Sequence, residues 1–334
     1  MKFNIARQTL VPAFLTLVAL AAFAMWNAGS PAGDLPVGNP SPTGRELALS
    51  TPAELLARFQ AACPGWSRWI GGFLILFVGM SLGRLTVRYN LYSVGTCLAI
   101  PLYGAITAGL LDKESFMTTL TAATLLALAS RNYARSFCNG YGFDALFRAS
   151  LYLGILMLIV PAALPFVLIL PLAVALFRRT LRETVVAIAG LLLPILTFCY
   201  LNWGAGGDFI DPLLRGYGLI TTGDPLATVL AIPGRKLFLL GGILLLDLTA
   251  LFYFLSDIYA VGTRSRAIFI FFTCLLLLNI PAACNPAANP AITQLTAIPS
   301  AVLLPFLFVR IHRTLSLTVY ILLLTATVAI VILQ

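Results

Sequence analysis

Charge is scarce in this sequence. Of 334 residues, 21 are Lys or Arg and 12 are Asp or Glu, a 10% share, where a soluble domain carries about 25%. Histidine is almost absent. The single one, His312, lies between Arg310 and Arg313, so a His-centred catalytic triad is excluded. Six cysteines are present, Cys63, Cys97, Cys138, Cys199, Cys274 and Cys284, with no CxxC pair and no His at ligand spacing. Neither a metal site nor a cofactor is expected from them. The phosphate-cradling glycine loop, the GxSxG elbow, the HExxH helix and the dinucleotide fingerprint are all missing, which sets aside the enzyme classes that depend on them.

What fills the chain is apolar. Hydrophobic residues make up 60% and the mean hydropathy is +0.97. A water-soluble fold of this length has too much surface to hide that many apolar side chains. In hydrocarbon each backbone polar group must find its partner within the segment, so apolar runs read as helices, about 20 residues for a crossing. Eleven such runs occur: Leu10–Trp26, Trp69–Gly83, Leu91–Leu111, Phe116–Ser130, Ala145–Val160, Ala162–Phe177, Thr184–Tyr200, Leu237–Leu255, Ala267–Ile280, Ala291–Val309 and Leu315–Leu333. The expected fold is a polytopic, all-α transmembrane bundle forming one integral membrane domain over residues 1–334. Pro161 joins the fifth and sixth runs, with Pro165 and Pro171 inside the sixth; two crossings or one re-entrant pair account for them equally. Lys2 and Arg7 precede the first run, which ends in Ala22-Phe23-Ala24, the pattern of a cleavable signal. The run exceeds the usual apolar core of a signal peptide and is read as a retained anchor.

The formal charge of +9 reports topology rather than a nucleic-acid partner, because the basic residues cluster at span ends. With the N-terminus cytoplasmic, the inner segments hold thirteen: Lys2, Arg7, Arg84, Arg88, Arg131, Arg135, Arg178, Arg179, Arg182, Arg264, Arg266, Arg310 and Arg313. The outer segments hold seven, Arg45, Arg58, Arg68, Lys113, Arg215, Arg235 and Lys236, together with eight of the twelve acids. Short cytoplasmic loops carry this basic excess.

Two outer segments are long, residues 27–67 and 203–236. In the first, Thr51 precedes Pro52 and stands three residues before Glu54, a capping box opening a helix. Leu55, Leu56 and Phe59 share one face of it, predicting a short amphipathic helix on the membrane surface. The second carries Asp208, Asp211, Arg215 and Asp224 between glycines and is expected to dip back toward the bilayer. Cys63 and Cys284 both fall outside, as a disulfide or as two unrelated thiols.

Asp247 is the one acid deep within a run. A charge there costs at least about 2.5–3.5 kcal/mol, so it is either an ion, proton or substrate contact or a hydrogen-bonded interhelical one. Arg148 lies near enough to a span end to snorkel. Asp34, Glu46, Glu54, Asp208, Asp211 and Asp224 are external acids, each able to act as a general base if it faces a cavity. Arg215, Arg235 and Lys236 are candidate phosphate contacts near the outer surface. Gly79 and Gly83 form a GxxxG pair that permits close helix packing.

Asn90-Leu91-Tyr92-Ser93, Phe143-Asp144-Ala145 through Gly154, the Pro161–Pro165 break, Arg178-Arg179-Thr180-Leu181-Arg182-Glu183, Gly190 to Pro194 and Ala297-Ile298-Pro299 together resemble a bacterial family of uncharacterised multi-pass inner-membrane proteins. The resemblance covers most of the chain, implies the cytoplasmic membrane of a bacterium and brings no assigned activity. The chain is more loosely similar to C-type-fold membrane glycosyltransferases, which use polyprenyl-phosphate sugars and place a catalytic acid early in the loop after the first span. Asp34 is the only acid early in that loop here, and the similarity implies it as the base. The leading expectation is therefore a cell-envelope protein acting at the external face on a lipid-linked sugar. Asp34 would activate the acceptor, and Arg215, Arg235 or Lys236 would hold the phosphate. The alternatives are a transporter or flippase centred on Asp247, and a noncatalytic subunit of an envelope complex. An outer cavity lined by acids and arginines would favour the enzyme, and a sealed bundle the subunit.

Overall fold

The computed structural model describes residues 8–28, 51–136, 142–221, 232–285, 287–288 and 290–333, without the side chains of Arg215, Tyr217, Leu219, Thr221 and Pro290. Asp34, Glu46, Cys138 and Asp224 lie outside the described residues.

The described elements are helical, with no strand among them: α1 Leu10–Asn27, α2 Pro52–Ala62, α3 Pro64–Arg88, α4 Ala99–Leu110, α5 Phe116–Arg135, α6 Phe143–Ile159, a 3-10 segment Pro161–Leu168, α7 Ile169–Leu176, α8 Leu181–Gly204, α9 Asp211–Thr221, α10 Gly234–Ser256, α11 Thr263–Ala283, α12 Pro290–Leu295, α13 Ala297–Arg310 and α14 Arg313–Leu333. Seven stretches are long and apolar enough to cross a membrane: α1, α3, α8, α10, α11, α14 and the α12–α13 stretch Ala291–Arg310. Ala99–Leu110 and Pro161–Leu176 are apolar but shorter. This is an all-α bundle built from the apolar helices of a membrane protein.

Two helices form the centre. Every residue of α4, and every residue of α13 from Ala297 to Phe308, is buried. Around them, α1, α3, α10, α11 and α14 each bury one stripe and expose apolar side chains on the other, as Phe238, Leu245, Leu248 and Phe252 do on α10. Several hydroxyls inside the bundle are satisfied locally, while those of Ser81, Thr107 and Ser316 are buried without a partner among the described residues. Thr119, Thr124, Ser130, Thr273 and Thr327 each donate to the carbonyl four residues back, so these five add no orphan donor.

The third apolar run differs from expectation. Residues 91–98 are irregular and the helix begins only at Ala99. Asn90 takes a left-handed backbone (φ 45°) and ends α3, and the Leu91 N–H turns back to the Thr86 carbonyl. Hydrophobicity carries a segment into the bundle without making it helical. Buried irregular backbone is tolerated here because it finds partners: the Cys97 N–H donates to the Gln8 carbonyl and the Tyr92 hydroxyl to the Val302 carbonyl at 2.7 Å.

Glycine sets the close crossings. A Cβ on Gly79 would lie 2.7 Å from Leu17, and one on Gly83 2.4 Å from Ile100, so the GxxxG pair seats α1 and α4 against α3. Gly154 and Gly190 do the same for α6 and α8, where added carbons would meet the Leu191 carbonyl oxygen at 2.4 Å and the Phe147 carbonyl oxygen at 2.7 Å.

The capping box at Thr51 is formed, with Glu54 N–H donating to Thr51 Oγ1 and Thr51 N–H to Glu54 Oε2, both at 3.3 Å. Nothing on α2 is fully buried. The helix is tied down by Gln60, whose Nε2 donates to the Glu114 carbonyl at 2.9 Å and whose Oε1 accepts from the Met117 N–H at 3.0 Å.

Candidate functional site

The α6–α8 crossing opens into a cavity. The two helices touch at Gly154 and Gly190, and α6 then stops because Pro161 supplies no N–H and Val160 is extended (φ −129°, ψ 91°). The chain continues as a 3-10 segment of eight residues, longer than the three or four that such helices usually reach. Between this segment and the last turns of α8 lies a groove of about 400 Å³, within the range of small-molecule sites. Met157, Leu158 and Leu164 form one wall, Ile195 and Phe198 the other, and α9 closes the end through Asp211, Leu213 and Gly216. A neighbouring recess of about 280 Å³ shares Leu158 and Phe198 and carries the apolar lining past Leu193 and Leu201.

The groove's polar side chains are Thr51, Asn202 and Asp211. Asn202 is buried and its Nδ2 donates to the Asp208 carbonyl at 2.8 Å, pinning the turn between α8 and α9. That turn needs Gly206, whose φ of 93° belongs to glycine. Asp211 thereby reaches the cavity.

The other residues singled out from sequence lie elsewhere. Lys236 is buried and its Nζ pairs with Asp112 Oδ1 at 3.1 Å, while Asp112 Oδ2 accepts from Ser115 Oγ at 3.0 Å. Arg235 is exposed and its Nη1 donates to the Leu333 carbonyl at the end of α14. Neither cation lines the groove. Arg215 sits on α9, one residue before the groove-lining Gly216. Asp247 is 1% exposed, inside the bundle, and accepts from Ser300 Oγ at 2.5 Å. Arg148 pairs with Asp144 at 2.8 Å, one turn back. Cys63 and Cys284 are both exposed free thiols.

The chain matches no protein-family model, no curated protein and no solved structure. Its chemistry must be read from its own geometry.

Two acids that carry much of the structure were not singled out in the sequence. Asp112 neutralises Lys236. Glu183 is buried at the opposite end of the bundle, where its Oε1 accepts from the Gly142 N–H at 2.6 Å and pairs with Arg179 at 3.3 Å, and its Oε2 accepts from the Thr180 N–H at 3.0 Å. Beyond its place in the Arg178–Glu183 motif, the sequence signals Glu183 by the Thr180-x-x-Glu183 spacing of a capping box.

Proposed function

We propose that this is a multi-pass bacterial inner-membrane protein of the cell envelope. It crosses the bilayer eleven times with its N-terminus cytoplasmic, and takes the hydrocarbon part of a lipid-linked substrate into the groove between α6, the 3-10 segment and α8. The observation that carries the reading is the groove itself, apolar along both walls and polar only at one end, where the last turn of α8, α9 and the start of α2 meet. That distribution fits an amphiphile with its tail between helices and its head at the surface.

The face is argued from tryptophan as well as arginine. Trp26 ends α1, Trp66 and Trp69 open α3 and Trp203 ends α8, all strongly exposed and all at the groove's end of the bundle. Exposed tryptophan belongs at a membrane interface, and the opposite end carries most of the arginines. Glycosyl transfer from a phosphate leaving group needs a base for the acceptor hydroxyl and positive charge for the departing phosphate. In this proposal Asp34 remains the base that the glycosyltransferase similarity implies, Asp211 orients the head, and Arg215 is the phosphate contact. Lys236 and Arg235 are committed elsewhere.

Filling the groove tests the reading. Gly216 lines the groove and a Cβ on it meets no atom within 4 Å, so Gly216→Phe adds bulk at the groove without a backbone clash. Lipid retained by the purified protein, measured by native mass spectrometry, is expected to fall several-fold with thermal stability unchanged. Retention equal to that of the parent would refute the groove as a lipid site. Orientation is tested by the protein's own thiols: a membrane-impermeant maleimide applied from outside is expected to label Cys63 and Cys284. Protection of both until the membrane is breached would invert the topology.

A further inference from the structure

A second buried site lies away from the groove, between α10, α13 and α4. Lys236, Leu239, Ile243, Asp247, Ala250 and Phe254 form the buried stripe of α10, which packs on α13, α4 and α14. Asp247 Oδ2 accepts from Ser300 Oγ, and Oδ1 has no partner among the described residues. A buried carboxylate with one donor and no cation is unstable in a low-dielectric interior. The packed helices bring no cation. Helix α4 has no charged residue, only Tyr103. On α13 the only one is Arg310, ten residues beyond Ser300, where it pairs with Asp257 at 2.8 Å. On α14 there are Arg313 at the start and Tyr320. On α10 itself, Lys236 is about 16 Å away along the helix and is paired with Asp112.

Open acceptors lie on the neighbouring helices. Pro299 and Pro305 supply no N–H, so the carbonyls of Leu295 and Ala301 receive no helical bond from four residues ahead. Gln294 is fully buried, its Nε2 donates to the Thr107 carbonyl at 3.2 Å, and its Oε1 has no partner among the described residues. Thr107 Oγ1 and the Tyr103 hydroxyl on α4 are also without a partner among the described residues, so what the site lacks is positive charge, and one proton on Asp247 supplies it. A sodium-sized ion would need several oxygens converging on one point, whereas an O–H needs a single acceptor.

The polar pairs follow one another along the chain of the central helices. Gln294 precedes Ser300 by six residues across the α12–α13 junction, and Thr107, on the last turn of α4, precedes Asp112 by five. We propose that Asp247 is a proton-binding site in exchange with the Asp112 end of the bundle, by way of the Gln294–Thr107 and Lys236–Asp112 pairs. This inference is independent of the groove. In the step itself a proton from bulk water forms an O–H bond on Asp247 Oδ1 and converts the carboxylate to the neutral acid, and the reverse step returns it to water. Such an exchangeable proton suits a protein that couples conformational change to a proton gradient.

Infrared difference spectroscopy on the full chain in phosphatidylethanolamine–phosphatidylglycerol vesicles tests this. The expected result is a protonated-carboxyl C=O band that shifts in D2O and disappears as pH is raised. The band is lost in Asp247→Asn, an isosteric change, and kept in Glu114→Gln, an exposed control. Should Asp247→Asn fail to fold, Ser300→Ala provides the second reading, with the band moved to higher frequency by loss of the donor. In Gln294→Leu the band persists but responds to D2O more slowly. No band, a band indifferent to pH and D2O, a band titrated by sodium at constant pH, an unmoved band in Ser300→Ala or an unchanged response rate in Gln294→Leu would each overturn the proposal.

Discussion

Replacing Glu183 by alanine is expected to be the most damaging single change among the charged residues. The carboxylate is 2% exposed and joins three parts of the chain: the start of α8 through Thr180, the start of α6 through the Gly142 N–H, and Arg179. Arg179 in turn donates to the Ser136 carbonyl just past α5. Removing Glu183 deprives the N-terminus of α8 of its cap and leaves the Arg179 guanidinium, largely buried, without its carboxylate. Breaking a buried pair from one side costs about 3–5 kcal/mol. The site is near an end of the bundle, where water can reach in after rearrangement, so a loss of about 3 kcal/mol is expected. Thermal unfolding in detergent measures it. Glu183→Gln keeps an acceptor for Gly142 and loses the charge, and should fall between the two. An alanine variant melting with the parent would show that the carboxylate does not hold these segments together.

Gly154→Ala is the second large effect, and it acts by crowding. The new carbon would sit 2.4 Å from the Leu191 carbonyl oxygen and 2.9 Å from Pro194 Cγ. Neither is the end of a flexible side chain, so α6 and α8 must separate. Overpacking of this kind costs about 1–3 kcal/mol, and Gly154→Leu should exceed it. Because the groove begins where these helices part, separation should also reduce lipid retention. Gly190→Ala acts at the same crossing, with the Phe147 carbonyl oxygen at 2.7 Å. The double variant should lose less than the sum of the singles, since one displacement relieves both contacts. A stable Gly154→Ala protein with unchanged lipid retention would count against this account of the crossing.

The residues that carried the family resemblance prove architectural in this light. Gly154, Gly190 and Pro194 form the α6–α8 crossing, Pro161 ends α6, and Thr180 and Glu183 cap α8 while fastening it to Gly142. They are spacing and fastening residues, and they say where helices touch rather than what the protein binds.

The sequence alone determined what is local. Hydrophobicity is a property of each segment, so every apolar run coincides with a helix or a pair of helices, apart from the irregular residues 91–98. The Thr51 cap follows in the same way from near neighbours in the chain. Only the tertiary structure decided which charges meet. Lys236 and Asp112 are 124 residues apart, and a basic residue at a span end reads as a surface anchor until the fold buries it against a carboxylate. Of the external acids, Asp211 lines a cavity because the Asn202–Asp208 turn aims it there. Asp247 is written in the sequence as an expensive residue, and its placement against Ser300 with one oxygen unmatched is a fact of helix packing. The physical reason is range: burial and helix formation are settled within a few turns of chain, whereas the partner of a buried charge is chosen by whichever distant helix packs against it.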